Sequence, residues 1–467
     1  MPKADETAQA RLRIALILTE FPPHYGGMQT HAAHLAAALH ARGHQIRVYT
    51  YRSNGDAELA DAESHDRSTP YPVQRVLSRI GYWFNHALLT RQLTDEPCDL
   101  VYASNVYYGL LGPALKVPVI CRSVGNDVLR PWIIYPFRLG SGVSAWPWLE
   151  STLYRLFRRC NSPEWIEALL RRARSTLMQG NARAATHILA NSAYTTALLQ
   201  SVGVHPTRLQ QLPGGVDCAA FAPPDPATRD ALRAALGLPP GTFVLFTACR
   251  LVAKKGVDFL LQQMPTVRQH WPAARLLIAG DGRERRRCEA LAQQLGIGDA
   301  VTFLGRLPHE QLRRYYWACD VFVLASRITR NRYSGQCDAE TMGRVLCEAN
   351  AAGAPVLASN SGGIPSVIRH NDNGLLFEAD NAADLLAQLQ RLHDDAPLLQ
   401  RLRERGLERA RKEFDWPHIL RAHEHAFAAT RVDEAGKHAA ALNTQADTLP
   451  SFLYAVGEPS GADQAQP

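Results

Sequence analysis

Glu340 and Glu348 are two carboxylates separated by seven residues in the run ETMGRVLCEANAAGAPVLAS, residues 340–359, with Gly343 between them. The pattern around Glu348 predicts a helix, and Gly353 and Pro355 lead out of it into a short apolar strand. A loop–helix–strand unit of this kind brings backbone N–H groups, the positive end of a helix and a carboxylate into one small volume. Phosphates are held by the first two. A carboxylate just inside the helix would repel a phosphate, so it must serve another group, and ribose hydroxyls are the natural partner. The segment therefore asks for a nucleotide with a bulky leaving portion.

The elements that must position such a unit recur along the chain. An apolar run, Leu12 to Leu18, reads as a strand. The turn EFPPHYGGMQ follows, then an amphipathic stretch from Thr30 to Ala41 and a second strand from Gln45 to Tyr49. This strand–glycine loop–helix–strand order opens a doubly wound α/β sheet. Further strands are expected at Leu100–Ala103, Val117–Arg122 and His187–Ala190. The second half repeats the plan: a strand over Thr242–Ala248, a helix from Gly256, and strands at Arg275–Ala279, Val301–Phe303 and Val321–Leu324. Pro223, Pro224 and Pro226 mark the joint between the halves. Residues 54–70 are polar and turn-rich and read as a mobile loop. Periodicity is lost after Arg431, and the tail, residues 432–467, reads as disordered.

Bulk properties fit this plan. The chain has 467 residues, enough for two ordinary α/β domains, and 46% hydrophobic residues, enough for packed cores. Its net charge of +7 suits acidic partners such as nucleotide phosphates or an anionic membrane surface. No zinc-finger spacing or basic region argues for nucleic acid. Nine cysteines carry no C-x-x-C pair and read as reduced thiols rather than metal ligands. The polar N-terminus has no apolar core of a signal peptide, and no run is long enough to span a membrane, so a cytoplasmic protein is expected.

Seven motifs stand in order across residues 12–430. They are the pair Gly26–Gly27, PGGVD (Pro213 to Asp217), CRLVAKKG (Cys249 to Gly256), AGDG (Ala279 to Gly282), FLGRLP (Phe303 to Pro308), the two-glutamate unit, and SGGIP (Ser361 to Pro365). With these motifs the chain resembles a family 4 glycosyltransferase. That is a retaining, sugar-nucleotide-dependent enzyme built from two facing Rossmann-like domains, the GT-B arrangement. The resemblance implies an N-terminal acceptor domain over residues 11–217 and a C-terminal nucleotide-sugar domain over 218–410. A helix over 411–431 would return to the first domain.

The resemblance also assigns roles. Arg250 and Lys255 would neutralise the donor diphosphate; by composition alone they read as solvated surface cations. As the glycosidic bond breaks, the leaving nucleoside diphosphate gains charge, and fixed cations stabilise that transition state. Lys254 would face away. Glu340 would lie against the donor sugar and Glu348 would grip the ribose, with Gly343, Val345 and Leu346 completing that side of the donor site. Gly26 and Gly27 would let the first loop approach the phosphates. The backbone of Arg306 and Leu307 would meet the base. Gly362 and Gly363 would line the cleft or simply form a turn.

Three departures from the family pattern bear on function. Many members carry His-Gly-x-Asp near the reacting centre; here the segment is SVGNDV, with Val124 in place of the histidine, and Asn126 and Asp127 are left to contact the acceptor or the sugar. The usual E-G-F-G is E-T-M-G, so Thr341 and Met342 reshape the sugar pocket. The loop from Ser326 to Ala339 is longer and more basic than usual, with Arg327, Arg330 and Arg332, and reads as a solvated, mobile loop or a phosphate contact.

Residues 129–176 read as a helical insertion. It holds Trp132, Trp146, Trp148 and Trp165, and eight arginines against three glutamates. Aromatic anchors with arginines suit a membrane interface; the plainer reading is a helical cover on the first domain. The expected activity is transfer of a sugar, with retention, from a nucleotide-diphosphate sugar to a hydroxyl of a saccharide or lipid-linked glycan. A uridine donor is expected first and guanosine second, with no metal and no cofactor. The alternatives are a sugar-nucleotide epimerase on the same scaffold and a degenerate, non-catalytic glycan binder.

Overall fold

The computed structural model describes residues 11–23, 26–53, 56–138, 141–159, 164–330 and 337–430. The tail over 432–467 and Arg332 lie outside the described residues, as do the side chains of residues 154–166, Trp165 among them.

The first sheet contains β1 (Arg13–Ile17), β2 (Gln45–Tyr51), β3 (Val73–Leu77), β4 (Leu100–Ala103), β5 (Val119–Ser123), β6 (His187–Ala190) and β7 (Leu209–Gln211). All its pairs are parallel, in the order β3-β2-β1-β4-β5-β6-β7. β4 and β5 are buried along their whole length, as strands covered by helices on both faces must be. The second sheet contains β8 (Val244–Ala248), β9 (Arg275–Ala279), β10 (Val301–Gly305), β11 (Val321–Leu324), β14 (Val356–Ser359) and β15 (Leu375–Phe377), also parallel, in the order β10-β9-β8-β11-β14-β15. A short antiparallel hairpin, β12 (Thr329–Arg330) and β13 (Cys337–Asp338), stands between β11 and β14.

Each strand order reverses once, between β1 and β4 and between β8 and β11. At such switch points the connections leave toward opposite faces and open a crevice at the carboxyl ends of the strands. The glycine pair follows β1, the Val124–Asp127 segment follows β5, Arg250 and Lys255 follow β8, and Glu340 lies between β11 and β14. The sequence thus puts its chemistry-bearing residues at the carboxyl ends of strands in both sheets.

The chain closes on itself. Val216 N–H donates to the Phe414 carbonyl at 2.8 Å, and residues 416–430 form a helix whose Ile419, Leu420, Ala426 and Phe427 share a core with Ile14, Leu16 and Leu35. Trp416 packs against Gly215 and stacks on His34, with ring centroids 4.9 Å apart.

Two local expectations need correction. Residues 56–67 are a helix, Asp56–Arg67, not a mobile loop. Its Ala and Glu residues favour helix. Ala62 is buried, and Arg75 grips Asp66 through Nε and Nη2 at 2.7 and 2.8 Å. The base of the 326–339 segment is pinned rather than solvated. Arg327 Nη2 reaches both carboxylate oxygens of Asp258 at 2.6 Å and Nη1 reaches Asp380 at 3.0 Å.

Candidate active site

β8 ends at Ala248, and the chain turns through a short 3-10 stretch, Ala253–Lys255, before helix Val257–His270 begins. The turn needs Gly256, whose φ is +63° and whose hydrogen faces the Ala325 carbonyl, where a Cβ would collide. This turn aims two neighbouring lysines at two acids. Lys255 forms an ion pair with Glu340, each side chain only 12% exposed. Lys254, expected to face away into solvent, is buried; its Nζ lies 2.8 Å from Asp338 Oδ1 and 2.9 Å from the Ala339 carbonyl. Burial alone would lower the Lys255 ammonium and raise the Glu340 carboxyl. Their mutual attraction outweighs it, so Lys255 is held above and Glu340 below its ordinary pKa. Both are charged at neutral pH. Arg250 is exposed at the mouth and forms no ion pair among the described residues.

Glu348 sits in helix Arg344–Ala351 and is 3% exposed. Its Oε2 accepts from the Tyr316 hydroxyl at 3.0 Å. Burial, then the Glu348 charge, pushes Tyr316 well above its ordinary pKa, so the phenol stays a donor. Glu348 Oε1 faces Arg344 Nε at 3.6 Å, and Arg344 Nη1 donates to the Gly27 carbonyl at 2.8 Å across the cleft. Gly343 caps this helix in the left-handed region. Val345 is partly buried, while the Leu346 side chain is wholly in the core, which leaves it only main-chain atoms to offer a donor. Gly362 and Gly363 lie against the backbone of Glu340 and Thr341, and Gly363 N–H donates to the Glu340 carbonyl at 2.8 Å. They support the Glu340 segment from below.

On the facing domain, Gly26 and Gly27 open helix Gly27–Ala41. Gly125, at φ +79°, is a point of contact between domains: a Cβ there would come within 2.7 Å of Thr341 Cγ2. Met342 Sδ accepts from Gly214 N–H at 3.2 Å. The expectation that Asp127 meets the acceptor or sugar is not met. Its side chain is fully buried, Oδ1 accepting from Ser123 Oγ at 2.8 Å and Oδ2 from Val106 N–H at 3.2 Å. Burial pushes its carboxyl up to about 6 against these hydrogen bonds. It shapes the turn that presents Asn126, whose enclosed Oδ1 has no hydrogen-bond partner. Arg306 and Leu307 follow β10 at the same edge of the second sheet, two strands from β8; Leu307 packs on the core and Arg306 is exposed.

Sequence reasoning missed three residues. Arg130 crosses the cleft to Asp338 Oδ2 at 2.7 Å, tying the first domain to the segment that carries Glu340. Tyr316 orients Glu348, and no motif marks it. Arg344 did carry a signal, since it stands four residues before Glu348, the spacing at which helical side chains meet.

Residues 25–220 match the family model described as Glycosyltransferase Family 4, and residues 228–409 the one described as Glycosyl transferases group 1. The chain belongs to the family 4 glycosyltransferases. This glycosyltransferase is 29% identical over 386 residues to a Mycobacterium tuberculosis protein named GDP-mannose-dependent alpha-(1-6)-phosphatidylinositol monomannoside mannosyltransferase, covering 81% of the chain and 89% of the relative. It is 27% identical over 412 residues to a Corynebacterium glutamicum GDP-mannose-dependent monoacylated alpha-(1-6)-phosphatidylinositol monomannoside mannosyltransferase, covering 87% and 95%. Among solved structures it is similar to Anabaena HepE in complex with UDP and glucose, with a TM-score of 0.65 and 19% identity, covering 90% of the chain and all of that protein. The glycosyltransferase thus has the two Rossmann-like domains of the GT-B fold, and its Lys255–Glu340 and Lys254–Asp338 pairs stand in the cleft between them. Neither the epimerase nor the non-catalytic alternative has a counterpart in these relatives.

Proposed function

We propose that this enzyme transfers a hexosyl group, with retention, from a guanosine-diphosphate sugar to a hydroxyl of a lipid-linked saccharide. The observation that carries the reading is the buried Lys255–Glu340 pair with the exposed Arg250 at its mouth. Lys255 and Arg250 would meet the diphosphate as it gains charge, Glu340 would orient the sugar, and Glu348 would take the ribose. A front-face reaction of this kind needs no enzymic nucleophile, since the leaving phosphate can accept the acceptor's proton; Val124 is therefore compatible with turnover. The two cations do the work of a divalent ion, and the reading includes no metal. Asn126 is the candidate contact to sugar or acceptor. The expected preference for uridine gives way to guanosine, because both relatives are named as GDP-mannose-dependent, while the likeness to HepE carries the fold alone.

Thermal stabilisation tests the donor. At a hundred times its dissociation constant a ligand adds about 2.7 kcal/mol to the folded state. GDP should raise the melting temperature at concentrations where UDP does not; a response to UDP alone overturns the guanosine assignment.

The lipid-linked acceptor draws on the insertion. Trp146 and Trp148 are 60% and 66% exposed, and Leu169 is also exposed. Trp132, by contrast, packs against Tyr107 and the first-domain core, so that part of the insertion is a structural cover. Among the described residues no helix is long and apolar enough to cross a membrane. The exposed tryptophans would sit at headgroup depth on the inner face of the membrane, with the insertion's arginines beside lipid phosphates. The protein should bind vesicles containing phosphatidylinositol at low salt and leave them as salt rises, and Trp146→Ser/Trp148→Ser should weaken that binding while GDP binding persists. Vesicle binding untouched by the double substitution would remove this surface from the proposal.

A further inference from the structure

Arg344 stands where the proposed donor must go. Its guanidinium spans the cleft, one nitrogen on the Gly27 carbonyl at 2.8 Å and another facing Glu348 Oε1 at 3.6 Å. Under the donor reading, the glycine loop approaches the phosphates and Glu348 receives the ribose. The side chain is only 19% exposed, and its Nε is enclosed without a hydrogen-bond partner. An enclosed guanidinium N–H left unpaired is costly, and 3.6 Å is too long for the bond to Glu348 to satisfy it. Glu348 is in a matching state. Tyr316 holds Oε2, and Oε1 has the arginine's charge nearby but not its hydrogen bond.

We infer that Arg344 is a placeholder cation that exchanges partners when the donor binds, leaving Glu348 to the ribose and moving onto the diphosphate. The inference rests on the donor reading given above. The ribose hydroxyl offers Glu348 Oε1 the short hydrogen bond that Arg344 does not make. The displaced guanidinium sits on the first residue of helix Arg344–Ala351, where the helix's positive end already favours phosphate. A planar guanidinium there can bind a phosphate through two N–H groups. The same side chain joins Gly27 to the Glu348 helix, so it is one tie between the two domains, and the donor would take its place.

The exchange makes a prediction that simple charge removal does not. Without Arg344, Glu348 is free for a nucleoside, but the diphosphate loses a partner. Calorimetry on the full chain with guanosine and GDP separates the two. Arg344→Leu should weaken GDP about tenfold or more while guanosine binds as well as before or better, and Arg344→Lys should restore part of the GDP affinity. The dependence of GDP binding on salt should also fall in Arg344→Leu. Equal losses for guanosine and GDP in Arg344→Leu, or unchanged GDP binding, overturn the exchange. Glu348→Gln tells the two failures apart. If it leaves GDP binding intact, the donor reading fails and the exchange with it. If it weakens GDP while Arg344→Leu acts on both ligands alike, only the exchange is lost.

Discussion

Exchanging Lys255 for alanine is expected to slow sugar transfer by about a hundredfold or more, because a cation beside the leaving phosphate acts mainly in the transition state. The same change should also destabilise the fold. It leaves Glu340 as a buried carboxylate without its partner, and breaking one side of a buried pair costs about 3–5 kcal/mol. The pair's pH dependence has two edges. Glu340's stabilising contribution is present above its ordinary pKa of 4.5 and is lost as pH falls through its lower folded value; Lys255's is present below 10.5 and is lost as pH rises through its higher folded value. A double variant, Lys255→Ala with Glu340→Gln, should recover much of the stability and none of the turnover. Kinetics and urea unfolding on the three proteins decide the matter, and near-normal rates in Lys255→Ala would remove this residue from the reaction.

Glu348→Gln should weaken GDP by about 1.5–3 kcal/mol, the range for a hydrogen bond to a charged group. The substitution keeps the size of the side chain and its packing in helix Arg344–Ala351, so the loss reports charge rather than a cavity. Tyr316→Phe should act in the same direction and more weakly, since it frees Oε2 without removing the carboxylate. Isothermal titration with GDP measures both, and unchanged affinity in Glu348→Gln would contradict a ribose contact.

Much of this site was legible in the sequence, for a physical reason. Lys255, Glu340 and Glu348 occupy the loops and the helix that follow buried apolar strands, and those strands announce themselves as runs such as VLFTA and VFVL. What the sequence hid lies in long-range pairing. Arg130 and Asp338 are 208 positions apart, and nothing in either neighbourhood points to the other. The direction of a side chain was equally hidden: Asp127 read as a cleft residue but turns inward to Ser123, because its short helical turn carries it toward the core. Helix Asp56–Arg67 reads as a loop in the sequence because only a narrow stripe of it, including Ala62, faces the protein. The base preference was not legible either, since backbone atoms, which every residue has, would do the reading.

The return of residues 416–430 to the first sheet has a consequence for how the protein is made. The core that Ile14 and Leu16 begin is completed only by Ile419 and Phe427, near the far end of the described chain. During synthesis at about 5–20 residues per second, even the last strand of the first sheet leaves the ribosome roughly 10–40 s before the helix that finishes its core. The second domain, whose strands and helices are contiguous, can fold in that interval. The N-terminal half is thus first to emerge and last to be complete, and a fragment ending near Asp217 would present the uncovered face of Ile14, Leu16 and Leu35 to solvent.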